Sequence, residues 1–347
     1  PTGIEHWTGT VHFKQKEIEV TTFRTETGYS DGRHPDSVNY AATIEEDLAR
    51  RDFTINAIAV DLKDGSVVDP FEGRKDIKRK IIRTVGKACD RFTEDGLRPI
   101  RALRFACRLN FDIQPDTLQA VSDKEVQKKI KAISVERFRD ELLKMLKAEK
   151  PSVGLKLMED TGILNLFIPE FAACRNCIQS DDRGYHIFDV MDHILYACDG
   201  APSEKPAVRL ADLFHDIGKP ESRTERKENG FTIYNFYCHE VYSEKTARTI
   251  MTRLKFSNAE IDKVCHLIAN HMFHYEPSWS DAAIRRFLVK VGSENIEDLI
   301  DLRLADMYGK YNKPVRKHDT TSCRLLIELK ERINKIESEN NALSLKD

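Results

Sequence analysis

No apolar run in the 347-residue chain reaches the roughly 18 to 20 residues that span a bilayer, and the first thirty residues lack a charged stretch followed by an apolar one. A soluble, unexported chain is therefore expected. Positive charge is not in excess either: 55 Lys and Arg stand against 57 Asp and Glu, a formal net charge of −2. A basic coat over the whole surface is ruled out, so any nucleic-acid contact has to be regional. There are no internal repeats and no low-complexity tract. A secreted disulfide framework is also missing. The eight cysteines (89, 107, 174, 177, 198, 238, 265, 323) are scattered through helical and strand-like patterns and read as reduced, mostly buried thiols, which points to a cytoplasmic protein. Cys174-Arg175-Asn176-Cys177 has no partner pair at zinc-finger spacing and no βαβ context, so it reads as two free thiols in a loop.

What is present is a globular composition, 40% hydrophobic and 32% charged, long enough for two or three domains at roughly 150 residues each. Residues 1–62 read as strands: Thr10 to Phe13, Ile18 to Phe23, and Phe53 to Leu62, where Ile55, Ala57 and Ala59 alternate with their neighbours. A polar stretch from Thr25 to Asn39 separates the last two and reads as a mobile loop. After the turn Asp69-Pro70-Phe71-Glu72-Gly73 the period becomes helical, over Asp76 to Ile82, Pro99 to Asn110, Thr117 to Val126 and Val135 to Leu146. From about 186 to 310 the pattern stays helical while histidine concentrates: His186, His193, His215, His239, His266, His271 and His274 fall close together. Asp319 to Asn341 reads as a charged connecting helix with Leu325, Leu326, Leu329 and Ile333 on one face. The expected fold class is an incomplete α/β head followed by an all-α neck and a further all-α domain, divided as 1–85, 86–175, 176–312 and a connector at 313–347.

Two constellations carry chemistry. In the first, Arg50-Arg51-Asp52-Phe53-Thr54-Ile55-Asn56-Ala57 gathers cations, a carboxylate and an amide at a strand end, a set suited to phosphates and a ribose hydroxyl. The alternative is a solvated salt-bridge cluster. Glu94-Asp95-Gly96-Leu97-Arg98 then leads into Arg101, Arg104 and Arg108, spaced to lie along one helix face beside an apolar stripe of Leu97, Ile100, Leu103 and Cys107. Asp95 and Arg98 stand three positions apart, so one acceptor and one donor can meet the Watson–Crick edge of cytosine or adenine and refuse uracil and guanine. An ordinary intrahelical ion pair is the competing reading.

The order of motifs, Glu45-Glu46-Asp47-Leu48-Ala49-Arg50-Arg51-Asp52-Phe53-Thr54-Ile55-Asn56-Ala57, then Asp69 to Gly73, then Arg91-Phe92-Thr93-Glu94-Asp95-Gly96-Leu97-Arg98 through Phe105, resembles the class II tRNA nucleotidyltransferases, which comprise CCA-adding enzymes and bacterial poly(A) polymerases. The resemblance implies template-independent addition of C and A to a tRNA or other RNA 3′ end from ATP and CTP, with Mg²⁺. By the same resemblance Arg51, Asp52 and Asn56 contact triphosphate and ribose, Glu94, Asp95 and Arg98 belong to the nucleotide-binding motif in which Asp95 and Arg98 select the base, and Arg101 and Arg104 face phosphates or primer. The segment around Asp31, Gly32 and Arg33 resembles the loop associated in that family with the switch to A addition. Glu19 matches the third metal-facing carboxylate, but the family's Asp-x-Asp pair lies outside these residues, so the chain as given is expected to be incompetent for polymerisation. Residues 343–347 likewise resemble the opening of a longer RNA-binding tail.

In the second constellation, His193, the adjacent His215-Asp216, His239, His271 and Asp306 sit on successive predicted helices or their ends. Imidazole with carboxylate suits Mn²⁺, Mg²⁺, Ni²⁺ or Zn²⁺, and the lack of cysteine argues against a structural zinc. Adjacent ligands require an irregular helix end, which Gly218 and Pro220 supply. The alternative, histidines satisfied one by one in a core, weakens as convergent ligand types accumulate. Phe214-His215-Asp216-Ile217-Gly218-Lys219-Pro220 with His193 and Asp306 resembles the HD metal-dependent phosphohydrolases. That resemblance implies a core of His193, His215, Asp216 and Asp306, with His239 and His271 serving a second ion or the phosphate. Lys219 neutralises a phosphate oxygen, and the reaction is of the phosphatase or 2′,3′-cyclic phosphodiesterase type. His186 and His266 are weaker candidates, and His274 reads as structural. A poly(A) polymerase or A-adding enzyme shares every head motif. A chain with only HD hydrolysis and an RNA-binding head is the other alternative. Neither a membrane nor DNA is an expected partner.

Overall fold

The computed structural model describes residues 8–14, 16–28, 37–180, 186–228, 230–311 and 321–344. Thus the loop around Asp31, Gly32 and Arg33 lies outside the described residues. The chain divides into two compact units, residues 1–138 and 139–347.

In the first unit β1 (Thr8–Phe13) pairs antiparallel with β2 (Lys16–Thr21), and β3 (Arg24–Thr27) with β4 (Ser37–Tyr40). Helix α1 (Ile44–Ala49) begins at Thr43, whose hydroxyl accepts from Glu46 N, and three acidic residues in its first turn suit the helix dipole. The alternation from Phe53 to Leu62 does not produce the expected long strand. Asp52 accepts from Phe53 N (2.9 Å) and from Asn56 Nδ2 (3.0 Å), and the chain closes into a 3₁₀ turn at Thr54–Asn56. A short polar side chain has competed successfully for a donor that a ladder needs. Only β5 (Ala59–Val60) remains extended, paired with β6 (Val67–Val68).

Helix α2 (Gly73–Arg79) starts where Asp69 accepts from Gly73 N and Arg74 N. It leads to β7 (Ile81–Ile82), which runs parallel to β8 (Asp112–Ile113) across α3 (Ala88–Glu94) and α4 (Leu97–Leu109). The single helix expected over Thr117 to Val126 is two, α5 (Pro115–Val121) and α6 (Lys124–Lys131), because Asp123 stops one and caps the next by accepting from Glu125 N and Val126 N. Phe53, Phe92, Ile100 and Leu103 are fully buried at the core.

Helix α7 (Val135–Leu146) leads into the second unit. There α8 (Pro151–Asp160), α9 (Ile163–Phe167), α10 (Val190–Gly200), α11 (Pro206–Phe214) and α12 (Lys219–Ser222) precede a hairpin, β9 (Arg223–Glu228) with β10 (Phe231–Phe236). The hairpin corrects the expectation of unbroken helix. Its charged first strand is mostly exposed and so shows no apolar alternation, while Gly230 at φ +85° permits the turn. Helices α13 (His239–Arg253), α14 (Asn258–Asn270), α15 (Asp281–Val291), α16 (Ile296–Tyr311) and α17 (Thr321–Ser344) complete it.

Helix α10 packs along α16 at glycine range: a Cβ at Gly309 would lie 2.8 Å from His193 O, and one at Gly200 2.6 Å from Tyr308 Cβ. That close approach delivers His193 and Asp306 to the same place. The core is continuous, with Val190, Ile194, Phe214, Ile250, Val264 and Leu302 fully buried. No helix among the described residues is long and apolar enough to cross a membrane. All eight cysteines are free, and Cys174 and Cys177 lie in the expected loop, both buried, with burial pushing both thiols up.

Candidate functional site

In the first unit the strand-end cluster and the arginine helix meet in a cavity of about 480 Å³. Arg51, Asp52, Asn56, Asp95, Arg98 and Arg101 all line it, as do Arg50, Phe105 and Arg137. Arg101 donates to Asp52 Oδ2 (2.8 Å from Nε), so the two motifs are tied together across 49 positions. The charges are held in pairs. Asp47 takes Arg50 (2.7 Å) and Arg51 (3.1 Å), and these guanidinium partners hold its carboxyl below the usual range against the upward push of burial. Arg51 Nε is buried without a hydrogen-bond acceptor, a donor available to an anion.

Asp95 and Arg98 do not pair with each other. Asp95 closes α3 in an extended conformation, accepts from Leu97 N (2.9 Å) and receives both Nη atoms of Arg137. Arg98, only 9% exposed, donates to Glu94 and to Arg91 O (3.0 Å). Opposite polarities are therefore presented side by side in one cavity, each steadied from behind, which excludes the simple intrahelical pair. Glu94 acts as that support. Arg104 is turned onto the Phe105 ring, 4.0 Å from its centroid, and does not line this cavity. Glu19 is exposed on β2 opposite Thr10, also away from the cavity. Arg137 was invisible in the sequence, since its partner lies 42 positions away.

In the second unit His193, His215, Asp216, His239, His271 and Asp306 converge, all buried. His215 caps α11, His271 caps α14, and His239 opens α13 after Cys238 in the left-handed region. Helix ends thus supply three of the ligands. The Nδ1 atoms of His215, His239 and His271 donate to carbonyls three residues earlier, Asp212 O (2.7 Å), Phe236 O (2.8 Å) and Ile268 O (2.7 Å). This fixes the tautomer and leaves each Nε2 lone pair pointing inward.

Asp216 bridges the two halves. Its Oδ2 lies 3.0 Å from His193 Nε2 and 3.2 Å from His215 Nε2, and its Oδ1 lies 3.1 Å from His239 Nε2 and 3.9 Å from His271 Nε2. The His239 and His271 Nε2 atoms are 3.2 Å apart. Two neutral acceptors at that distance cannot satisfy each other; a cation between them does. The His193 and His215 Nε2 atoms are also 3.2 Å apart, with Asp306 Oδ1 3.3 Å from His193 Nε2 and the buried His193 Nδ1 without a hydrogen-bond partner. The donor set therefore fits divalent metal, as His193–His215–Asp216 and Asp216–His239–His271.

The charges at the site act on one another: against burial, Asp216 and Asp306 push the His193 imidazole up. Against the penalty of burial, His215 and Lys219 hold Asp216 far below the usual carboxylate range, and Lys310, His193 and Arg303 do so for Asp306. Burial and the neighbouring imidazoles push His271 down to about 3, so it stays neutral and able to ligate.

Lys219 lines the cavity beside the centre and is paired with the Asp216 carboxylate. Its ammonium is 2.6 Å from Asp216 Oδ2 and donates to Gln179 Oε1 (2.8 Å), so it neutralises the bridging carboxylate. Arg303 and Lys310 line the same cavity of about 280 Å³, with His186, Asp216, His239 and His271. Arg303 was legible as an i, i+3 partner of Asp306; Gln179 carried no local signal. His266 is not part of the centre and meets Val291 O (2.6 Å), while His274 is exposed beside Glu276.

Gly218 sits between the halves with no room for a side chain: a Cβ there would lie 2.4 Å from Ser243 N and 2.8 Å from His239 O. Behind the centre, Asp212 is completely buried and neither of its oxygens has a hydrogen-bond partner; burial and Asp306 push its carboxyl far up.

A polar, nucleotide-sized cavity in a mixed head and a two-lobed His/Asp centre in a helical domain together define a nucleotidyltransferase head followed by an HD-type metal domain. The comparisons with known proteins agree. Residues 1–83 match the family described as Poly A polymerase head domain, 110–175 that described as the probable RNA and SrmB-binding site of polymerase A, and 183–310 the HD domain. The chain thus carries, in order, a Poly A polymerase head, the polymerase A RNA-binding region and an HD domain.

Among similar proteins is the CCA-adding enzyme of Lactobacillus johnsonii, 48% identical over 162 residues, which are 47% of this chain and 40% of that one. The CCA-adding enzyme of Geobacillus stearothermophilus is 47% identical over 170 residues, 49% of this chain and 41% of that one. The chain thus spans about two fifths of the length of the curated relatives it matches. The crystal structure of Bacillus stearothermophilus CCA-adding enzyme in complex with CTP superposes with a TM-score of 0.66 at 28% identity, covering 96% of this chain and 68% of that one.

Proposed function

We propose that the first unit is the nucleotide-selecting part of an enzyme that adds C and A to the 3′ end of tRNA from CTP and ATP with Mg²⁺. The observation that supports this most directly is the shared cavity in which Asp95 offers an acceptor and Arg98 donors, beside Arg51, Asp52, Asn56 and Arg101. Asp95, held by Arg137, accepts from the exocyclic amine of cytosine or adenine. Arg98, held by Glu94, donates to the adjacent ring nitrogen or carbonyl. Arg51 and Arg101 offset phosphate charge, and Asp52 accepts from a ribose hydroxyl. Relatives named CCA-adding enzymes favour this reading over a poly(A) polymerase. Free thiols throughout favour a cytoplasmic location. The test is binding: CTP and ATP should bind this chain in preference to UTP and GTP, and equal affinity for all four would remove the reading.

The second unit is then a metal-dependent phosphohydrolase acting on phosphoesters of the phosphatase or 2′,3′-cyclic type. Divalent metal, when bound, supplies stabilisation of phosphoryl charge and lowers the pKa of the attacking water. Asp216 and Asp306 are ionised at neutral pH, His215, His239 and His271 turn Nε2 inward, and Arg303, Lys310 and Lys219 line the cavity that would receive the phosphate. Hydrolysis of a generic phosphodiester should vanish in His215→Ala and in Asp216→Ala; survival in both would overturn the assignment.

A further inference from the structure

We propose that the groove beside the histidine centre is a nucleobase subsite, so that the phosphoester handled there belongs to a nucleotide. This deepens the phosphohydrolase reading and rests on it. The groove has a volume of about 460 Å³, within the roughly 300–1,000 Å³ of small-molecule sites. Its wall carries Met272, Phe273, Trp279 and Phe287, with Arg286 and Lys290 on the rim.

The aromatic rings are clustered yet only partly buried. Phe287 stands 5.3 Å from Phe273 and 5.7 Å from Trp279, centroid to centroid, and all three keep some surface in solvent. Ring faces left at a surface suit the stacking of a planar base, which every nucleobase can supply. Arg286 and Lys290 lie one helical turn apart on α15, both exposed, and neither forms an ion pair among the described residues. They match an anionic ligand, and Arg can stack as well as pair. Glu240 on the opposite side offers an acceptor for an exocyclic amine.

Continuity with the metal centre turns this surface into a subsite. Met272 lines both cavities, half exposed, with Arg303 Nη1 4.0 Å from its sulfur. His271, Met272 and Phe273 are consecutive, so one residue ligates, the next divides the cavities and the third meets the base. On the other side Glu240 follows the ligand His239. A phosphate at the centre and a base in the groove are thus separated by one side chain that bends readily.

The test uses the two-tryptophan composition: in a Trp7→Phe background the emission reports Trp279 alone. AMP added to metal-free protein should quench it saturably, whereas ribose 5-phosphate should not. Ala283→Phe, which fills the groove, and Arg286→Glu should each weaken AMP at least about fivefold, the lower end of the effect of one base stacked on an aromatic ring. Far-UV circular dichroism checks that both variants fold.

With Mn²⁺ loaded, adenosine 2′,3′-cyclic phosphate should have a KM well below that of ribose 2′,3′-cyclic phosphate, and this advantage should collapse in Ala283→Phe. Hydrolysis of both esters with equal KM, and no quenching, overturns the subsite while the phosphohydrolase reading stands. Quenching without hydrolysis of either ester overturns the phosphohydrolase reading and leaves the base site. Absence of both overturns the two together.

Discussion

Asp95 and Arg137 form a two-point ion pair, with Arg137 Nη2 2.8 Å and Nη1 3.1 Å from the two oxygens of one carboxylate. A planar fork on a planar carboxylate fixes rotation as well as position. The lone pairs that remain on Asp95 therefore keep a constant direction into the cavity.

On the proposed reading, nucleotide selectivity rests on the two supports, Arg137 and Glu94, as much as on Asp95 and Arg98. Asp95→Ala and Arg98→Ala should each reduce the preference for CTP over UTP by about 1–3 kcal/mol, measured as a ratio of dissociation constants. Arg137→Lys, which keeps the charge and loses the fork, should fall between the wild type and Asp95→Ala. If Arg137→Lys retains the full ratio, the pair does not orient the carboxylate.

Because Asp216 gives one oxygen to each histidine pair, metal stoichiometry should follow the geometry. Wild-type protein should bind two Mn²⁺ per chain by calorimetry or elemental analysis, His239→Ala one, and Asp216→Ala neither with comparable affinity. A wild type that saturates at one ion would show that the His239–His271 pair serves another purpose.

Asp47 couples stability to pH in the acid range. Its folded carboxyl titrates below the unfolded value, so the paired anion adds stability above about pH 4 that is lost as pH falls through the folded value. Asp47→Asn should cost about 1.5–3 kcal/mol at pH 7, with the difference from wild type closing towards pH 2 in urea titrations. A difference that stays constant across that window would sink the linkage.

Arg209 is a structural cation with carbonyl partners. Buried to 2% exposure, it donates to Ala201 O, Leu146 O and Ala148 O, closing helix ends that would otherwise keep orphan acceptors. Arg209→Met should lower stability by roughly 3 kcal/mol or more, read as a drop in unfolding midpoint at unchanged m-value. Retained stability would mean that the carbonyls find other partners.

Much of this was legible in order and spacing. Asp95 and Arg98 line one cavity, as their spacing suggested, and His215-Asp216 at an irregular helix end signalled a convergent His/Asp cluster. What escaped detection depended on distant partners or on local competition. Arg137 and Gln179 act on residues 42 and 40 positions away, beyond any window of pattern. The strand expected from Phe53 to Leu62 failed because Asp52 captured Phe53 N and Asn56, a local bond that periodicity does not register. The hairpin at Arg223–Phe236 hid in a charged, solvated composition that reads as helix surface.

Gly218 was expected to matter for backbone freedom, as the breaker that lets two adjacent residues face one way. Its φ of −86° is ordinary for any residue, and what the position forbids is bulk. An alanine methyl would have to push the first turn of α13 outward, carrying His239 with it, while His193 and His215, anchored on other helices, stayed behind. A single hydrogen atom in place of a methyl group thus lets α13 lie close enough to set His239 beside Asp216, from a position outside the His/Asp cluster.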